Sequence, residues 1–180
     1  MNLAYLPNYT YEDYKLWEGD WELIYGVPYP MVPAPVRKHQ YLASLINHQL
    51  MESLEECEEC EVLIEEDYLV DEHTVLRPDI SVSCNDNNKE YISKAPEIVV
   101  EIISPSTKQR DENLKFGIYE KEKVKYYIIV YPDELKAKIF KHNKKRFINE
   151  GVYENEIYEF KDTSCYAKID FQRVFKKFRK

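Results

Sequence analysis

The chain has 180 residues and a mass of 21.6 kDa, within the range of one domain. A chain of this length can bury roughly 70% of the surface its unfolded form exposes, so neither a disulfide framework nor a metal is required for folding. Its net charge is −8 and its pI near 5.2, a global balance that argues against a protein built around nucleic acid. The charge is nevertheless polar along the chain. Residues 52–67 carry nine acids and no base, residues 136–146 carry six bases and no acid, and the segment 173–180 adds five more bases. Local phosphate contact therefore stays open. No apolar run reaches the roughly 18 residues of a membrane span, and MNLAYLPNYTYEDY has no signal-peptide pattern. Four scattered cysteines point to a reducing cytoplasm rather than to a disulfide scaffold.

Taken in order, a short amphipathic helix is expected over 11–18, with Thr10 as its cap. Residues 21–31, WELIYGVPYPM, read as a hairpin turning at Tyr25-Gly26, after which Pro33 and Pro35 break the chain. From Arg37 to about Glu56, Leu42, Leu45, Ile46, Leu50 and Leu54 recur at three and four, the spacing of a helix with one buried stripe. The period then changes to that of strands, at 62–70 and 75–84, with NDNNK at 85–89 as a loop. EIVVEII, 97–103, has the composition of a strand buried on both faces. Ser106 and Gln109 fit a capping box for a helix running to about Glu122. A second buried strand is expected at 124–132, and outer strands at 135–142 and 152–160. This order implies an α/β or α+β domain, a mixed sheet with helices packed on it, over residues 1–180. Four dispersed glycines exclude a P-loop and a dinucleotide fingerprint.

Two acids stand out by context. Glu101 lies between Val99 and Ile103 on one strand face, where an unpartnered carboxylate costs several kcal/mol. A metal, a lysine or a retained proton could offset that cost. Asp79, after the strand-breaking Pro78, could reach the same spot from a neighbouring strand. Two such hard oxygen ligands suit Mg2+ or Mn2+. The bland alternative has Asp79 ending a strand in a turn and Glu101 in a structural ion pair. Lys115 shares a helix face with Asp111 and Tyr119, where it could stabilise charge on a metal-bound phosphate or form only an ion pair with Asp111.

Glu22-Leu23-Ile24 with Gly26, Arg77-Pro78-Asp79-Ile80, APEIVVEIISPSTKQRDENLKFGIY from Ala95 to Tyr119, and Tyr126-Tyr127-Ile128-Ile129-Val130 together resemble the Uma2 family. This is a restriction-endonuclease-like group of the PD-(D/E)XK nuclease superfamily. The resemblance runs from about Tyr11 to Tyr158 and implies a mixed central sheet flanked by helices, with metal-binding acids at Asp79 and Glu101 and a further acid at Glu22. Two departures are visible. The superfamily's E-x-K lysine position is Ile103 here, so the lysine role falls to Lys115 on the following helix. The family's hairpin Asp-Gly is Tyr25-Gly26. The implied activity is metal-dependent hydrolysis of DNA phosphodiester bonds; the alternative is a nuclease fold that has lost cleavage and serves in nucleic-acid binding or regulation. A homodimer is a separate expectation, since one site per chain cuts both strands most easily as a symmetric pair and the apolar outer strands around Val152 to Phe160 could supply the contact.

Other features carry less. Cys57 and Cys60 form a lone C-x-x-C, and His48, His73 and Cys84 lack the paired spacing of a zinc site. His39 could orient a substrate, but in the first turn of a helix it is expected at the surface, and Ser104 and Ser106 are expected as helix caps rather than nucleophiles. Phe171, Val174, Phe175 and Phe178 mark an amphipathic helix that closes the fold or joins a dimer.

Overall fold

In a computed structural model, residues 7–31 and 36–179 are described; Pro33 and Pro35 lie outside them. Strands β1 (Trp21–Ile24), β2 (Val27–Pro30), β4 (Tyr68–Asp71) and β5 (Thr74–Leu76) form a sheet of order β2-β1-β5-β4. The central sheet has the order β10-β9-β8-β7-β6-β3, built from β3 (Cys60–Ile64), β6 (Ile80–Cys84), β7 (Ile98–Ile102), β8 (Tyr126–Tyr131), β9 (Lys136–His142) and β10 (Phe147–Tyr153). Its β7–β8 pair is parallel and its other pairs are antiparallel, so the sheet is mixed as expected. A β11 (Ile157–Phe160) and β12 (Ala167–Asp170) ribbon completes the strands.

The alternation of β7 and β8 explains the two cores. Ile98, Val100 and Ile102 face helix α2 (Arg37–Ser53) and helix α4 (Phe171–Phe175), joining Leu42, Ile46, Leu50, Val174 and Phe175. Val99 and Ile103 face the other way, toward Tyr119 and Ile118 of helix α3 (Phe116–Lys121) and Ile24 and Leu76 of the smaller sheet. The stripe Phe171, Val174 and Phe175 thus closes this chain's own core. Gln49, the polar member of α2's buried face, accepts from Asp170 N–H at 2.7 Å and so fixes the start of α4. Among the described residues no helix is long and apolar enough to cross a membrane.

Several boundaries differ from the sequence reading, each for a physical reason. Helix α1 is only Tyr11–Tyr14, though Thr10 does cap it with a reciprocal Asp13 contact. The 62–70 and 75–84 strands each split in two. The break at Arg77-Pro78-Asp79 is where the chain leaves the small sheet for the central one, which accounts for a proline with no ladder bond to give. The 152–160 strand also divides, into the end of β10 and β11. Ser106 and Gln109 form no capping box. Ser104 and Thr107 bond each other instead, and the chain winds first as a π-helical turn, Arg110–Lys115, before α3. Tyr127 and Tyr131 of β8 hold this turn by hydroxyl bonds to Asp111 O at 2.9 Å and Glu112 Oε1 at 2.7 Å.

The cysteines are also corrected. The fold gathers all four at one end of the central sheet, with bonds Cys57–Cys165 and Cys60–Cys84. Sequence spacing could not show that β3 and β6 lie side by side with Cys60 opposite Cys84.

Two local features give direct tests. Tyr25 (φ 51°) and Gly26 (φ 76°) are both left-handed, the requirement of the tight hairpin turn between β1 and β2. A Cβ on Gly26 would stand 2.9 Å from Asn8 Cα, a backbone atom that cannot swing aside. Gly26→Ala is expected to cost about 1–3 kcal/mol, measurable as a lower urea midpoint with an unchanged slope. Asp86 ties the 85–94 loop together by accepting from the N–H groups of Asn88, Ser93 and Lys94 and from the Ser93 hydroxyl. Partial burial works against its ionised form, but these donors outweigh it and hold the carboxyl below the usual aspartate range. A carboxyl lowered in the folded state stabilises above its unfolded pKa, and that contribution is lost as pH falls through the folded value. Amide exchange in 85–94 should therefore stay protected at pH 6 and rise selectively below about pH 4. In Asp86→Asn that acid step should disappear.

Candidate active site

The central sheet's pairing sets the site. Ile80 pairs with Val100 and Ser81 with Val99, so the same register brings Asp79 alongside Glu101 where the two strands end. A cleft of about 600 Å³ opens here, lined by Glu22, His39, Arg77, Asp79, Glu101 and Lys115 among others. Asp79 is held from two sides: Ile102 N–H donates to its Oδ2 at 2.6 Å, and His39 Nε2, from the first turn of α2, stands 3.3 Å away. Burial works against a charge on His39, but Asp79 beside it outweighs that and raises the imidazole's pKa above 6.5.

Deeper in the cleft lies a charge cluster almost closed to solvent. Lys115 Nζ stands 2.7 Å from Glu101 Oε1, 2.7 Å from Glu22 Oε1 and 3.6 Å from Asp111 Oδ1, with its side chain 3% exposed. Tyr119 donates its hydroxyl to the same Glu101 oxygen at 2.8 Å. Glu22 reaches in from β1 and is fixed by Arg77 N–H at 3.0 Å, while Arg110 Nε stands 3.5 Å from its other oxygen. Burial disfavours the Lys115 charge, yet three surrounding carboxylates outweigh it and hold its pKa above the ordinary lysine value. For Glu101 burial dominates: it pushes the carboxyl pKa well up, against the pull of Lys115, and the neighbouring acids push the same way.

Three buried carboxylates around one buried ammonium leave the cluster short of positive charge. Glu101 Oε2 takes no hydrogen bond among the described residues, and Glu22 Oε2 and Asp111 Oδ1 are buried without a hydrogen-bond donor. Glu22 Oε2 and Asp111 Oδ1 still face Arg110 at 3.5 Å and Lys115 at 3.6 Å, so the oxygen left for a hard divalent cation is Glu101 Oε2, beside Asp79. Among the described residues of this cleft, no three ligating groups come within 4.8 Å of one another. An ion here would rest on the two carboxylates Asp79 and Glu101 and would take its remaining ligands from water, as Mg2+ and Mn2+ do.

All four residues singled out in the sequence, Glu22, Asp79, Glu101 and Lys115, line this one cleft. Asp111 and Tyr119 join Lys115 as their helical spacing implied. His39 is the residue sequence reasoning placed wrongly: its side chain is 12% exposed and turned onto Asp79. Its position in the first turn of α2 gave no signal of which sheet edge that turn would meet. Arg110 was also missed, one residue before Asp111 on the π-helical turn. The acidic run over 52–67 begins at the opposite end of α2 from His39, about 20 Å along the helix, but it returns to the cleft at Glu65, which lines it.

A mixed sheet with helices on it, and acids converging where its central strands end, is the restriction-endonuclease-like arrangement. The fold is similar to the crystal structure of "a putative nuclease belonging to DUF820" from Anabaena variabilis ATCC 29413, with a TM-score of 0.73 at 18% identity over 93% of this chain and 97% of that one. The model of the Uma2 family, described as "Putative restriction endonuclease", matches residues 11–162, and the chain belongs to that family. No curated protein matches it.

Proposed function

We propose that this protein is a metal-dependent endonuclease that hydrolyses phosphodiester bonds in DNA, with Asp79 and Glu101 holding Mg2+ or Mn2+. The observation that carries this reading is Lys115, which has no lysine position on the β7 strand yet meets Glu101 at 2.7 Å from the following helix. That restores an acid–acid–lysine set in an open cleft. The bound ion would supply Lewis-acid polarisation of the phosphoryl group and a more acidic water.

The chain's own residues do the rest. Ile102 N–H and His39 orient Asp79; Lys115 and Tyr119 fix one oxygen of Glu101 and leave the other toward the cleft. Lys115, held ionised, is the charge-stabilising group as negative charge grows on the phosphate oxygens, and it activates water by orienting it rather than by taking its proton. Glu22 keeps Lys115 ionised and placed. Lys38, Arg77 and Arg110 on the cleft wall offer contacts to the strand being cut.

A second reading, a nuclease fold that binds nucleic acid or regulates without cutting, draws on the near-complete burial of Lys115. Incubation of the pure protein with plasmid, single-stranded DNA and RNA, with Mg2+ or Mn2+ and with EDTA, separates the two. Metal-dependent DNA cleavage supports the first; retention of DNA in a mobility shift without cleavage supports the second. A homodimer belongs to the same proposal, since two symmetric sites cut both strands. Tyr158 and Phe160 are buried in the chain's own core, but Val152 and Ile157 are left exposed on β10 and β11 for such a contact. A monomer mass in light scattering at micromolar protein would end it. The cytoplasm, where DNA and Mg2+ are both present, is the compartment this activity implies.

A further inference from the structure

The four cysteines lie at the far end of β6 from Asp79, about five residues or roughly 17 Å along the strand, and nothing in the nuclease reading uses them. They come from four places: Cys57 in the turn after α2, Cys60 at the start of β3, Cys84 at the end of β6, and Cys165 before β12. Although Cys57 and Cys165 are 108 residues apart, the sulfurs of Cys57, Cys60 and Cys165 lie within 4.8 Å of one another, and Cys84 is bonded to Cys60. The fold has thus gathered every cysteine of the chain into one cluster. Two independent disulfides need no such gathering; a tetrahedral tetrathiolate site does. With Zn–S near 2.3 Å, its sulfurs stand roughly 3.8 Å apart.

Three further features bear on the cluster. Cys57-x-x-Cys60 is the spacing that turns two sulfurs onto one ion, yet in the bonded state each reaches a different partner. Glu59 Oε2 stands 3.5 Å from Cys57 Sγ and 3.4 Å from Cys165 Sγ. A disulfide sulfur has no hydrogen to give that carboxylate, whereas a cation among the sulfurs would attract it. The loop bearing Cys165 is held in place by Glu97, which accepts from Ser164 N–H at 2.6 Å and from its hydroxyl at 2.9 Å. Glu97 in turn has an oxygen within 4.8 Å of the Cys60 and Cys84 sulfurs, the outer support that metal sites use to fix their ligands. Glu58, Glu59, Glu61 and Asp86 line an adjoining acidic hollow that draws cations toward it.

We propose that in the reduced chain Cys57, Cys60, Cys84 and Cys165 hold one structural Zn2+, and that the two disulfides are the oxidised form of the same site. The chemistry balances. Two equivalents of a dithiol reductant give four electrons and four protons, becoming two disulfides themselves, and turn the two protein disulfides into four thiols; the ion then displaces four protons to leave a tetrathiolate. The site would clamp the end of α2, β3, β6 and the segment before β12, a role separate from the cleft.

The test is titration of the dithiothreitol-reduced, desalted full chain with Co2+ under nitrogen. One Co2+ per chain is expected, with the intense visible bands and sulfur-to-cobalt charge transfer of a tetrahedral tetrathiolate, both erased by one equivalent of Zn2+. An Asp79→Asn/Glu101→Gln variant should keep those bands, which excludes metal in the cleft as their source. Cys84→Ser and Cys165→Ser should each weaken the charge-transfer band and shift the spectrum. The spectrum of the parent decides even if those variants do not fold. A reduced parent that takes up no Co2+ with thiolate bands, or folded serine variants that leave the bands unchanged, would overturn the proposal.

Discussion

Lys115→Met is expected to lower both turnover and stability. Loss of the ammonium leaves Glu22, Glu101 and Asp111 buried around a neutral side chain of similar length. Removing one partner from a buried charge cluster typically costs about 3–5 kcal/mol. Removal of one electrostatic contact to a developing charge costs about two to three orders of magnitude in rate. The two effects separate experimentally: chemical denaturation reads the first, and single-turnover cleavage below the unfolding transition reads the second. Mn2+ affinity should survive, because Asp79 and the free Glu101 oxygen are untouched. A variant that is destabilised yet cuts DNA at the parent rate would confine Lys115 to a structural role. Lys108, Lys121 and Lys123 lie outside the cluster, and their alanine variants should keep most activity.

Glu101→Gln is expected to do the reverse to the metal. The amide keeps the side chain's shape and can still accept from Lys115 and Tyr119, so the fold should change by about 1 kcal/mol or less. What it removes is the negative charge that a divalent ion needs. Calorimetric titration should show Mn2+ binding lost, and cleavage should fall by about three orders of magnitude or more. Preserved stability with lost metal binding, set beside the opposite pattern in Lys115→Met, divides the cluster into a ligand and a charge-stabilising group. Undiminished Mn2+ binding in Glu101→Gln would place the ion elsewhere.

Much of this site was legible in the sequence because it is built on strands. The alternation within EIVVEII put Glu101 on one face with Val99 and Ile103, and the antiparallel register delivers Asp79 to it. Lys115, Asp111 and Tyr119 could be grouped because helical neighbours at four residues share a face, and the π-helical turn preserves that grouping. His39 was not legible, since its role depends on which end of the sheet α2 begins over. The cysteine cluster was hidden for the same reason. Two of its members lie on adjacent strands and one comes from the ribbon near the end of the chain, proximities fixed by strand order and not by spacing. The strand breaks at Pro78 and between β10 and β11 show the limit of apolar runs as a guide. A run continues across a change of sheet while the ladder does not.

The central claim is that Asp79 and Glu101 hold a divalent ion, and anomalous scattering from Mn2+ in crystals of the parent protein tests it most directly. One anomalous peak is expected in the cleft, contacted by the Asp79 carboxylate and by the oxygen of Glu101 that Lys115 leaves free, and absent from Glu101→Gln crystals soaked in parallel. A cleft without a peak at saturating Mn2+, or a peak that touches neither acid, would contradict it.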